Sequence, residues 1–391
     1  MHSSRLCAAS GALVLVGLLL AGDAQAQGSG ERYSLRGFGG WALGRTDNDN
    51  MFGFVASGDT EYNNYDFALN LAAQPADKLS VRAQAFWGED LRGRRIDLDY
   101  VFAEWAQSPK LKLRVGKVLS PFGLYTEIYD VGTLRPFYLL PQFYSGTTGL
   151  LPKAYLGAGL TGVMSLGDEW ELSYDAVGGE VRFQEIPAVV VVGRDPATGL
   201  PLTENQELQL IGRDMFGGRI ELGSPTHGLR LGFSALHARV EQSVNGGPRE
   251  PYPAADQATL ANAYLQYERG PFTLRSEYFH AFADTVDLTS GYAEASYKLG
   301  RHWQVAGVYD RGRLSPEAGT FYASLPDQLK RHESFGLALN FWATPDVVFK
   351  VNGYSVHGNQ SARSANPGVD AALGRLDDST LVLVLGAQFS F

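Results

Sequence analysis

The run STLVLVLGAQFSF, Ser379–Phe391, decides the fold class. Leu381, Leu383, Leu385, Ala387, Phe389 and Phe391 take alternate positions, and Val382, Val384, Gly386, Gln388 and Ser390 fill the others. A period of two places these sets on opposite faces of one β-strand. The first set is large and apolar, the second smaller and partly polar. Such a strand fits a soluble core as well as a lipid-facing wall, so its meaning depends on the rest of the chain.

At the other end, MHSSRLCAASGALVLVGLLLAGDAQAQ carries Arg5, an apolar run from Gly11 to Gly22, and Ala24-Gln25-Ala26, a small-x-small cleavage site. This predicts a secretory signal peptide over residues 1–26 and a mature chain over 27–391. The apolar run is too short to span a bilayer. Cys7, the one cysteine, precedes the run. It is misplaced for lipid attachment, and the mature chain has no disulfide framework. No later segment reads as a transmembrane helix, and a mean hydropathy of −0.14 is not that of a helical membrane protein. A net charge of −9 argues against nucleic acid, which needs a basic footprint.

The alternation recurs. Tyr65, Phe67, Leu69 and Leu71 share a face against Asp66 and Asn70. Leu111, Leu113 and Val115 oppose Lys112 and Arg114, and Trp170, Leu172, Tyr174 and Ala176 oppose Glu171, Ser173 and Asp175. About sixteen such segments occur, each near the length of a tilted membrane-spanning strand. Their connections alternate between short ones (74–78, 106–110, 166–170, 222–228, 268–272, 298–302 and 342–346) and long ones (about 45–62, 88–95, 118–156, 180–212, 242–258, 283–290, 313–332 and 357–378). That rhythm is the habit of outer-membrane barrels, and an even strand number puts both ends on the short-turn side. Tyr33, Trp170, Tyr267, Phe272, Trp303, Phe341, Trp342, Phe389 and Phe391 gather near that side as an aromatic girdle. In RIDLDYVFAEW, Ile96 and Leu98 suggest one register and Val101, Ala103 and Trp105 another, which predicts a β-bulge. The expected fold is all-β, a transmembrane antiparallel β-barrel of about sixteen strands. The final strand closes it against ERYSLRGFGGWALG, because lipid tolerates no free edge.

The third long connection, 118–156, is the most distinctive stretch. It contains SPFGLYTEIYDVGTLRPFYLLPQFY, Ser120–Tyr144. So apolar a loop is expected to fold inward, pack on the barrel wall and narrow the lumen. The motif resembles a segment of Gram-negative porin-like proteins of the porin O/P and DcaP-like group, with general-porin architecture. The resemblance implies a passive channel, often a homotrimer, in the cell outer membrane among lipid and lipopolysaccharide. The terminal Phe389 and Phe391 resemble the insertion signal read by the barrel-assembly machinery.

Charge locates the expected constriction. Arg36, Arg82 and Arg114 fall on the lumen-facing parity of the first, third and fifth strands at similar heights, with Arg275 and Lys350 farther round. The loop supplies Glu127, Asp130 and Arg135. Arg275 has a second reading, a local pair with Glu277 on its own face. Opposed charges across a narrow gap make a transverse field. The cations outnumber the loop acids, which predicts passive diffusion of small hydrophilic solutes with weak anion preference. The alternatives are a phospholipase-like barrel enzyme, for which His237 and His280 fall outward without a Ser or acid arrangement, and a plugged structural or adhesin barrel. The enzyme reading is set aside, because no nucleophile motif stands out. No cofactor motif is read. TDNDN (46–50) and Asp377-Asp378 read as solvated loop tips, with Ca²⁺ binding as the alternative. FQEIPAVVVVGRDPATGLPLTENQELQLIG reads as a surface loop, with an extracellular hairpin or an oligomer latch as alternatives.

Overall fold

The computed structural model describes residues 32–48, 50–52, 61–90, 93–126, 128, 131–144, 151–183, 186–194, 201–253, 255–320, 322–360, 362–363 and 376–391. The expected signal peptide, Glu127 and Asp130 lie outside these residues.

Sixteen long strands form one antiparallel sheet: β1 (Tyr33–Thr46), β2 (Glu61–Ala76), β3 (Leu79–Asp90), β4 (Gly93–Ser108), β5 (Leu111–Leu119), β6 (Ala154–Leu166), β7 (Trp170–Arg182), β8 (Pro201–Ser224), β9 (Leu229–Val244), β10 (Gln257–Arg269), β11 (Phe272–Ala283), β12 (Val286–Leu299), β13 (Trp303–Pro316), β14 (Arg331–Thr344), β15 (Val347–His357) and β16 (Ser379–Ser390). β1 pairs with β2 on one side and β16 on the other, so the sheet closes into a barrel. The seam shows the strand tilt: β1 meets β2 from Tyr33 upward but meets β16 from Phe38 upward.

The opening strand now has an orientation. In β16, Leu381 is 59% exposed and Leu383 50%, while Val382 is 3% and Val384 1%. The large apolar set therefore faces outward and the smaller set inward, the inversion expected of a barrel in lipid. Phe391 completes the seam. Its N–H donates to the Gly37 carbonyl at 2.8 Å and its carbonyl accepts from the Gly37 N–H at 3.0 Å. A Cβ at Gly37 would meet the tip of the Phe391 ring, so a larger residue there must displace that ring. Phe67 joins this cluster, 4.1 Å from Trp87 and 6.2 Å from both Phe389 and Phe391 by ring centres.

All seven short connections are turns at the expected places. Two of the expected long loops are not long. β3 and β4 stay paired up to Asp90 opposite Gly93, and β11 and β12 up to Ala283 opposite Val286. At the β3–β4 tip both faces are polar, as at Glu89, Asp90, Arg94 and Arg95, and at the β11–β12 tip Asp284, Thr285 and Asp287 interrupt the apolar set. The lipid-versus-lumen contrast vanishes from the sequence there, whereas backbone pairing needs no apolar face and continues. The surface-loop reading of 183–212 gives way to a hairpin: Ile186–Arg194 pairs with Pro201–Leu208, which runs on into the wall as β8. The bulge in β4 is present. Gln84 faces Tyr100 and Ala85 faces Leu98, leaving Asp99 as the extra residue. It lets Ile96 and Leu98 point outward above it and Val101 and Trp105 outward below.

Candidate constriction site

The segment between β5 and β6 lies inside the barrel as an aromatic core of its own. Phe122, Tyr125, Phe137, Tyr138, Phe143 and Tyr144 are buried together with wall residues such as Phe279, Tyr292 and Tyr354. Phe143 stacks on Phe279 with ring centres 5.1 Å apart. A loop this apolar hides from water by packing on a wall, and β11–β15 supply partners for its backbone.

Glu277 on β11 holds both limbs of the loop. Its carboxylate accepts from the Leu124 N–H at 3.1 Å on the outgoing limb and from the Tyr144 hydroxyl at 2.9 Å on the returning limb. Tyr292 at 2.6 Å and Asn262 at 3.0 Å complete its shell. Burial, reinforced by Glu277, holds the Tyr144 hydroxyl well above the usual phenol range, so it remains a donor. Gly123 takes φ +69°, and a side chain there would collide with Tyr144 and Glu277. Glu294 on β12 accepts from Tyr125 at 2.7 Å, and Asp310 on β13 from the Gln142 N–H at 2.5 Å. Farther round, the loop presents carbonyls. Asn340 on β14 donates to the Pro136 carbonyl at 2.9 Å. The Lys350 ammonium on β15 donates to the carbonyls of Gly132 at 2.7 Å and Arg135 at 2.6 Å. Asn352 accepts from the Tyr138 N–H at 2.7 Å.

The expected site residues therefore divide. Lys350 is 2% exposed beneath the loop and serves as an anchor; its charge does not reach the lumen. Arg275 is also covered. It contacts the Leu134 carbonyl and Glu294 at 3.4 Å each and lies over the Tyr125 ring at 5.6 Å. Glu277, its alternative partner, is occupied by the loop. Arg135 is 7% exposed and turns back to the Tyr138 carbonyl at 3.3 Å.

Arg36, Arg82 and Arg114 stand on β1, β3 and β5, nearer the short-turn side than the place where Val131 of the loop packs on Phe38, Ala68 and Phe86; Arg36 and Arg82 are exposed. Arg36 faces Asn70, whose β3 partner is Gln84, two residues from Arg82. Arg82 faces Phe102, two residues from Glu104, which faces Arg114. Each arginine thus steps one inward position along its row. Arg114 donates to Glu104 at 2.7 Å and lies over the Phe102 ring at 5.7 Å. Arg82 and Lys112 bear electrostatically on the same, nearly buried, Glu104 carboxylate. Among the described residues, Arg36, Arg82 and Lys112 have no ion-pair partner. Three cations around one carboxylate leave this row of the wall basic, while Asp99, higher on β4, is matched by Lys153 at 2.8 Å. The next wall is balanced, with Arg219 on Asp175 at 3.1 Å and Arg230 on Glu221 at 2.8 Å.

Sequence reasoning missed Lys112 and the anchors Glu294, Asp310, Asn340 and Asn352, and read Glu277 only as a partner for Arg275. All carry the inward-polar parity, which was the available signal; what covers them is a tertiary fact. His237 hydrogen-bonds Thr259 at 2.9 Å and His280 lies against Phe282, both within the outer wall. In TDNDN, Asn50 reaches Thr380 and the Asp377 carbonyl at 2.7 Å each, tying β1 to β16. No cluster suited to a metal ion occurs among the described residues.

No family model and no curated protein sequence matches the chain. Solved structures do match its fold. An anion-selective porin from Comamonas acidovorans aligns with TM-score 0.55 and 10% identity over 92% of this chain and 99% of that one. The outer membrane channel DcaP of Acinetobacter baumannii aligns with TM-score 0.54 and 10% identity over 92% and 97%. OmpT of Vibrio cholerae, an outer membrane protein solved in a trimer form, aligns with TM-score 0.52 and 9% identity over 92% and 99%. The chain has the closed sixteen-stranded fold of the outer-membrane porins.

Proposed function

We propose that the protein is a passive outer-membrane channel for small hydrophilic solutes with weak anion preference. The observation that carries this reading is the division of the inner wall: basic and uncovered along the row Arg36, Arg82 and Lys112, covered by the third loop on β11–β15. A sixteen-stranded barrel is too wide for wall side chains to fill. Unpaired cations along the uncovered wall favour anions by the same physics that selects ions in other pores. The porin fold supports the channel class, and the anion-selective neighbour supports the sign. Residues 1–26 direct export, Phe389 and Phe391 present the insertion signal to the barrel-assembly machinery, and the trimer form of a neighbour supports a homotrimer. Glu127 and Asp130 complete the constriction from the loop side.

Single-channel recording of purified protein in planar bilayers tests the class. Stepwise ohmic conductance is expected. A silent barrel supports the plugged reading, and a silent barrel that hydrolyses phospholipid supports the enzyme; either outcome overturns the channel.

A further inference from the structure

The outer surface of β7–β9 carries a feature that diffusion through the lumen does not use. Near the outer ends of these strands, seven charged side chains gather on the lipid-facing parity. Glu180 receives two hydrogen bonds from Arg249, at 2.6 and 3.0 Å, and one from Arg182 at 3.0 Å. Arg213 pairs with Glu241 at 3.1 Å. Arg213 also stands directly opposite Arg239 across the β8–β9 ladder. Like charges in that position repel. The acid between them, Asp214, sits on a bulge with φ +52° and lies 3.6 Å from one and 3.8 Å from the other, within ion-pair range but beyond hydrogen-bonding distance. Both guanidinium groups are more than half exposed, so their donors remain available. Four arginines exceed three acids; Arg213 and Arg249, with Leu156, Glu180, Asp214 and Glu241, line an open cleft of about 540 Å³, and Arg239 reaches its edge through Asp214.

Directly below the cleft the same face becomes apolar and grooved. On β7, Ala176 and Gly178 make a trough one strand wide. Leu156 and Leu160 of β6 form one ridge, 59% and 43% exposed, and Phe216 and Ile220 of β8 the other, both 60% exposed. The register sets Gly178 between Ala158 and Phe216 and Ala176 between Leu160 and Gly218, so the trough is continuous. A basic cleft above an apolar groove matches a ligand with an anionic head and acyl chains.

Granting the outer-membrane reading, the geometry points to a binding site for a phosphorylated, multiply acylated lipid of the outer leaflet. Its phosphate sits between Arg213, Arg239 and Arg249, and one acyl chain lies along Gly178 and Ala176. Arginine forks suit phosphate, and Glu180 and Glu241 hold two of them in place before the lipid arrives.

Native mass spectrometry of the full-length barrel in detergent, with bis-phosphorylated hexa-acyl lipid A as probe, tests this. Wild-type barrel is expected to retain one lipid A and to release it on dilution at least tenfold more slowly than Arg213→Gln/Arg239→Gln/Arg249→Gln. Dephosphorylated lipid A and inorganic phosphate are each expected to fail to compete. Gly178→Leu fills the trough from outside; a Cβ there meets only the Met215 carbonyl at 3.7 Å, an ordinary contact, so the barrel tolerates it. That variant is expected to lose lipid A retention. If the triple variant does not fold, judged by heat-modifiable migration, Arg249→Gln and Gly178→Leu carry the test. Equal retention by wild type and variants, or displacement by inorganic phosphate, overturns the site. A barrel absent from the outer-membrane fraction overturns the membrane reading instead.

Discussion

The two halves of the inner wall use the same residue types for opposite ends. On β1–β5, Arg36, Arg82 and Lys112 point inward and keep their charge free. On β11–β15, Arg275, Glu277, Glu294, Asp310 and Lys350 point inward and are consumed by the third loop. Acids there meet the loop's N–H and O–H donors, while Lys350 and Asn340 meet its carbonyls. A charged residue on the lumen parity is therefore a selectivity element only where nothing packs on it. Under a loop, the same residue is a fastener whose removal leaves buried donors or acceptors unmatched.

The largest effect that would separate the halves comes from removing the loop. Deleting about residues 124–150 uncovers the β11–β15 wall, with its acids Glu277, Glu294 and Asp310. Single-channel conductance should rise several-fold and anion preference should fall, while the barrel remains heat-modifiable, since the loop contributes no wall ladder. Unchanged conductance would show that the loop does not restrict the lumen. A smaller but still large effect is expected for Glu277→Ala. It strands donors on both loop limbs, at about 1–3 kcal/mol per unpaired buried group. Open-channel current should become noisy and the thermal unfolding transition should move down; quiet wild-type current would mean the loop is held elsewhere. A matched pair sharpens the contrast further. Lys350→Met should loosen the loop yet leave the reversal potential in a salt gradient unchanged. Arg82→Met should shift that potential toward cations and leave current noise unchanged. Equal shifts from the two would erase the distinction between fastener and selectivity element.

The barrel was legible because one rule, alternation with period two, acts at every strand, and because turn residues such as those of ERGPF and KLGRH mark the short-turn side. The bulge at Asp99 was legible because two incompatible apolar registers meet there. Strand tips were not, since above the membrane neither face has an apolar partner and the pattern dissolves while the hydrogen bonds continue. Inward parity was equally readable for Arg82 and Lys350. Their different fates depend on where residues 120–144 lie against the wall, and that rests on packing between segments more than 200 positions apart, as Lys350 and Gly132 are. The exposed cleft at Arg213 and Arg249 was hidden for a related reason: its charged members come from three strands and the segment that follows β9, with no common motif.

The reversal potential across a planar bilayer with a tenfold KCl gradient addresses the central claim most directly, recorded for the wild type and for Arg82→Glu/Arg114→Glu. The substitutions place two carboxylates beside Glu104 and turn the uncovered wall from basic to acidic. Wild type should show a potential of the sign set by chloride, and the double variant one of the sign set by potassium. The difference should be larger at low salt, where the Debye length grows from about 3 Å at 1 M to about 10 Å at 0.1 M. A cation-selective wild type, or a double variant with the wild-type potential, would contradict the assignment of selectivity to the uncovered wall.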